Sequence, residues 1–212
     1  MKKINNIKNL EDLGRIRFSK NYYAREFLYS EIANFYQIAN YPENIELFIN
    51  VGEKFCNNIL EPLKEKFNHI SIRSAYRSKS VNDFGNKNNL NCANNQSNYA
   101  GHIWDERDDD GNIGGTVCIF IPSFNDRFTD NWDWLRLGFW IAKNIEYSDM
   151  TFFSSMLNTF NISWHEKPKK DMNSYREPKG NIIKNNEINP KNLSTILEHF
   201  KLQEIDELYQ KI

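Results

Sequence analysis

Seven apolar residues, Ile45, Phe48, Val51, Phe55, Ile59, Leu63 and Phe67, recur at three- and four-residue intervals along one stretch of the chain. That spacing returns a side chain to the same side of an α-helix at every turn, so it predicts a long amphipathic helix with a face that must be buried. Pro62 predicts a kink near its end, because proline lacks the N–H that the helix would use there. A one-sided apolar stripe needs a second layer to cover it.

The second layer is legible as short apolar runs. HISIRSAYR alternates through Ile70 and Ile72 and predicts a short strand, GTVCIFIP predicts a strand ended by Pro122, and DMTFF and FNISWH are further strand candidates. WDWLRLGFWIAKNI and the terminal NLSTILEHFKLQEIDELYQ predict amphipathic helices. Between the first two strands, NDFGNKNNLNCANNQSN has turn chemistry and no period, which predicts a long loop. The sum is a single α+β domain. Its expected division is an N-terminal extension over 1–20, a central domain over 21–168, a polar linker over 169–191, and a C-terminal helix over 192–212 packing on the same domain.

Charge and cysteine usage narrow the function classes. A net charge of −1 over 212 residues gives no whole-molecule field toward nucleic acid or an anionic membrane. No apolar run approaches the ~20 residues of a membrane helix, and the opening MKKINNIKNLEDLGRIRF lacks the apolar core of a secretory signal, so a cytoplasmic location is expected. Cys56, Cys92 and Cys118 are odd in number and without framework spacing, which predicts free thiols.

Four histidines are present. His69 and His199 read as surface or packing residues, whereas His102 and His165 sit among Gly, Trp and acidic residues at the edges of predicted strands. Zinc accepts His, Cys and carboxylate donors, about three of them where one position stays open. Asp105, Asp109 and Cys118 are the candidate partners of His102. Alternation puts Thr116, Cys118 and Phe120 on one face of their strand, although a cysteine in an apolar strand also reads as ordinary core. The acidic run ERDDDG fits a calcium loop badly, since the position for a bidentate Glu falls on Val117; it reads as a solvated turn. Arg77 begins a turn after a strand, where a guanidinium can clamp a carboxylate or make a surface ion pair. Glu166 adjoins His165, but strand alternation points the two apart.

YYAREFLYSEIA, ILEPLKEKFNHISIRSAYRSKSVN, the His102 region and SWHE, in that order over roughly residues 20 to 170, resemble the zinc D-Ala-D-Ala carboxypeptidase superfamily, whose fold is shared with hedgehog signalling domains. The resemblance implies a small, mainly antiparallel sheet packed with helices, and a zinc-activated water hydrolysing a peptidoglycan-like or D-Ala-containing peptide. The family motif H-x(2)-G-x-A-x-D matches His102 and then G-x-T-x-C at Gly114, Thr116 and Cys118, so zinc is expected on His102, Cys118 and His165, with Asp109 the alternative middle ligand at H-x6-D spacing. Arg77, with Ser74, is implied to orient the substrate. The family's general base, three residues before the last histidine, falls on Ile162, which moves no proton; Glu166 is the substitute base if a bulge turns it inward. The rival expectation is a relative that keeps the fold and binds a metal, a peptide or a protein partner without hydrolysis.

Overall fold

The computed structural model describes residues 4–127, 130–154, 159–210 and 212. Two short helices, α1 (Ile7–Gly14) and α2 (Glu31–Tyr36), precede the apolar stripe, which is built as α3 (Ile45–Phe55) and α4 (Glu61–Phe67) joined by a π-helical turn over Cys56–Leu60. The π turn is how the rod meets Pro62. The backbone N–H of Glu61 bonds to Cys56 O, five residues back, and the wider turn takes the proline at the second position of α4. Phe48, Val51, Phe55, Ile59 and Leu63 are fully buried. Each such side chain contributes about 1.5–3 kcal/mol relative to exposure, so packing rather than intrinsic propensity holds this rod.

The chain continues through β1 (Ser71–Ser74), α5 (Lys79–Lys87), β2 (Gly114–Phe120), α6 (Pro122–Asn125), α7 (Trp134–Asn144), β3 (Asp149–Phe152) and β4 (Phe160–His165), then β5 (Asp171–Ser174), β6 (Gly180–Lys184), β7 (Glu187–Ile188), α8 (Pro190–Phe200) and α9 (Asp206–Tyr209). The strands form one seven-stranded sheet ordered β1-β2-β4-β3-β5-β6-β7, antiparallel except where β3 meets β5. The molecule is thus one α+β domain around one core.

The sheet has two unlike faces. Val117, Ile119, Met150, Phe152, Phe160, Ile162 and Met172 alternate onto the face that meets the helices and are fully buried. Trp104 lies among them with its ring stacked on Phe48 and Phe55. α3 crosses β2 so closely that a Cβ on Gly115 would stand 2.7 Å from Val51 Cγ1, which only glycine permits. The other face is polar and carries the candidate site.

Four features of the expected layout change. Residues 169–191 are not a linker: they supply β5, β6 and β7, and Asn185 and Asn186, both at positive φ, turn β6 into β7. Paired asparagines suit that turn because they tolerate the left-handed region. The stretch expected to be a loop from Asn82 begins inside a helix, α5, which Ser78 caps by accepting the Val81 N–H. The terminal helix is interrupted at Lys201, left-handed at φ 55, and resumes as α9. Residues 4–20 are packed into the domain: Leu13 and Phe18 are buried, and Ser19 Oγ donates to Glu61 Oε1 at 2.6 Å.

Candidate functional site

The polar face is built by strand alternation and one bulge. Cys118 lies opposite Ser74 on β1 and Asn161 on β4; Thr116 lies opposite Ser163, and their hydroxyls meet at 2.8 Å. The β1–β2 register shifts between Ile72 and Ser74. An extra residue in one strand re-aims its neighbours, and here it brings Arg73 toward the Cys118 thiol. Burial pushes that thiol up, while the Arg73 and Arg77 guanidiniums pull the other way. Arg73 also reaches Glu31 at 3.6 Å.

Beyond Ser74 the chain leaves the sheet, and the His102 turn takes its place beside β2. Thr116 N donates to Gly101 O at 2.9 Å, and Arg77 N donates to His102 O at 2.8 Å. The imidazole is buried, with Nδ1 at 2.9 Å from Ala75 O. A carbonyl only accepts, so Nδ1 carries the proton and Nε2 keeps a lone pair, for which no hydrogen-bond partner exists among the described residues. Burial, with the Arg77 charge added, pushes the His102 pKa down to about 3 against the pull of the Ala75 carbonyl. His102 is therefore neutral at physiological pH.

Arg77 is the half-buried cation of the cluster. Its Nη1 donates to Asn82 Oδ1 at 3.1 Å and to Cys92 Sγ at 3.0 Å, and burial lowers its pKa. No carboxylate pairs with it among the described residues. A guanidinium held by one amide and one thiol keeps N–H donors and most of its charge available to a ligand.

His165 is placed otherwise than the resemblance implies. Its strand position faces Gly114, where a Cβ would meet the ring at 2.7 Å and Ala100 O at 2.4 Å, so glycine makes room for the imidazole. Nε2 lies 3.1 Å from Asp108 Oδ2, and Nδ1 lies 2.9 Å from Lys167 O and 3.1 Å from Lys167 N. Burial alone would raise the Asp108 carboxyl; hydrogen bonds from the Asn112 backbone and amide and from His165 outweigh it and hold it below the usual carboxylate range. Asp108 also accepts the Asp110 N–H, so it organises the acidic turn as well as meeting the histidine.

The acidic run is therefore more than a solvated insertion, and Asp108 is the residue that reading the sequence missed. Asp109 is exposed and accepts Gln96 Nε2 at 3.0 Å, away from His102. Asp105 is buried, with Oδ2 accepting the Glu43 N–H at 2.8 Å. Glu166 is exposed and its Oε2 accepts the Ile113 N–H at 3.2 Å, so no bulge turns it inward. Ile162, on the opposite face of β4, is fully buried.

Among the described residues no three His, Cys, Asp or Glu side chains are grouped to hold a metal ion. His102 has the arrangement of a zinc ligand, one nitrogen fixed by a backbone carbonyl and the other free. Cys118 is in contact with Arg73, and His165 with Asp108. Two grooves, of about 510 Å³ beside α1 and about 620 Å³ around Tyr41–Glu46, lie away from these residues. Nor is there a helix long and apolar enough to cross a membrane among the described residues. No family model, curated protein or solved structure matches the chain.

Proposed function

We propose that this chain is a relative of the hedgehog and DD-peptidase fold that binds a peptide through its terminal carboxylate and does not hydrolyse it. The observation that carries the reading is Ile162: the position where that family keeps its general base is a fully buried core residue on the far face of β4. Glu166, next to His165 in sequence, is tied to a backbone N–H at the strand end, and Asp108 is engaged by His165 and by the N–H of Asn112. Losing a positioned general base removes a factor of typically 10²–10⁴ from hydrolysis. What is left on the polar face is a receptor for an anion. The Arg77 guanidinium has no carboxylate partner among the described residues, Arg73 is aimed toward Cys118 while reaching Glu31, and neutral His102 adds no competing charge.

A second reading, a zinc peptidase acting on D-Ala-containing peptides, is favoured by His102 Nε2, which has no hydrogen-bond partner among the described residues. It requires His165 to leave Asp108. One experiment separates the two. The purified protein is titrated calorimetrically with a peptide ending in D-Ala-D-Ala and with its C-terminal amide, each with and without added zinc, and the peptide is then assayed for cleavage. Binding of the acid at least about tenfold tighter than the amide, a difference of ~1.4 kcal/mol that Arg77→Met abolishes, with the peptide intact, is the expected result. Zinc-dependent cleavage establishes the second reading, and equal affinity for acid and amide refutes the role given to Arg77.

A further inference from the structure

Beyond Cys118 the same polar face runs on across the sheet, and its chemistry changes from cationic to neutral. Register places Asn161 beside Thr151, Thr151 beside Asn173, and Asn173 beside Asn181, one residue from each of β4, β3, β5 and β6. All four are half-buried, and the Asn181 amide donates to Asn173 Oδ1 at 3.0 Å. Asn161 and Thr151 make no side-chain hydrogen bond among the described residues. Three interstrand steps of ~4.8 Å make this row about 14 Å long.

An aromatic strip flanks the row. Phe153 and Tyr175 stand one residue past the ends of the parallel strands β3 and β5, two residues after Thr151 and Asn173, and the Tyr175 N–H donates to Phe152 O at 2.9 Å, which continues the alternation onto the same face. Their rings are 8° from parallel with centroids 6.2 Å apart, an offset stack. Tyr175 is 62% exposed.

We propose that the Asn161–Thr151–Asn173–Asn181 row and the Phe153–Tyr175 strip form a subsite for a neutral saccharide chain. Amides and a hydroxyl supply both donors and acceptors in one line without net charge, which suits a ligand of many hydroxyl groups and does not select an ion. The aromatic strip suits the flat C–H face of a pyranose ring, where apolar area and weak C–H contacts add to the hydrogen bonds. A peptide strand would instead seek unpaired backbone groups at a sheet edge, and this row lies on four neighbouring paired strands. The inference goes beyond the peptide-binding reading and stands without it, since no carboxylate or Arg77 takes part.

The test titrates the full chain with the β-1,4-linked tetramer of N-acetylglucosamine and, separately, with cellotetraose, following heat and ligand-observed NMR. Binding of either tetramer at millimolar ligand or below is expected; binding of the first alone adds that the acetamido group is read. Tyr175→Ala is expected to weaken binding at least tenfold and Asn161→Ala severalfold, while Tyr175→Phe keeps most of the affinity and Arg77→Met changes nothing. Tyr175 is exposed, so its loss should leave the thermal transition in place, and that is measured alongside. Failure of both tetramers to bind overturns the proposal, as does an isotherm that Tyr175→Ala leaves unchanged. Loss of peptide binding with saccharide binding intact would sink the previous reading and spare this one.

Discussion

Acid should weaken this fold through His102 in particular. Its pKa is pushed down to about 3 in the folded chain, against ~6.5 for an unperturbed imidazole. Between those values the unfolded chain holds a proton that the folded chain refuses, so stability is complete above pH ~6.5 and falls as pH drops toward 3. Each pH unit in that window costs about 1.4 kcal/mol per proton, so going from about pH 7 to about pH 5 should remove roughly 2 kcal/mol. That is a large share of the 5–15 kcal/mol that holds a typical domain. The assay is urea unfolding at both pH values for wild type and for His102→Asn, whose amide nitrogen can take over the bond to Ala75 O but does not titrate. The wild-type midpoint should shift more by about that amount, at unchanged denaturant slope. Equal pH sensitivity of the two proteins would refute the argument, because it would mean that the ring is solvated or charged in the native state.

Two further substitutions probe how the site is held. Gly114→Ala should cost about 2–3 kcal/mol in urea unfolding, because the new Cβ meets Ala100 O at 2.4 Å and a backbone carbonyl cannot retreat as a flexible side chain would; a loss under about 0.5 kcal/mol would show that the His102 turn is not packed on β2 as described. Ile162→Glu should not restore a general base but destabilise the domain by roughly 3–5 kcal/mol, since it drives an unpaired carboxylate into the apolar core; a folded, hydrolytically active Ile162→Glu protein would contradict the placement of that side chain.

Periodicity determined the rod from Ile45 to Phe67 and the strands β1 to β4, because a burial pattern of period 3.6 or 2 is written directly in the order of apolar residues. It also put Cys118 and Thr116 on one face. The strands at 171–188 were not legible in the same way. Their apolar signal is only Met172 and the Ile182–Ile183 pair, with the turn carried by asparagines in a chain where asparagine is everywhere. α5 was hidden for a related reason: its buried face includes Asn82, satisfied by Ala93 O and Asn95 rather than by apolar contact. What only the tertiary structure decided is how the polar side chains pair. Asp108 meets His165 across 57 positions of sequence, and Arg77 meets Cys92 instead of a carboxylate. Periodicity fixes which side of a strand a residue faces; which hydrogen-bond partner stands there depends on bulges, loop closure and close packing at glycine, and those exist only once the layers have met.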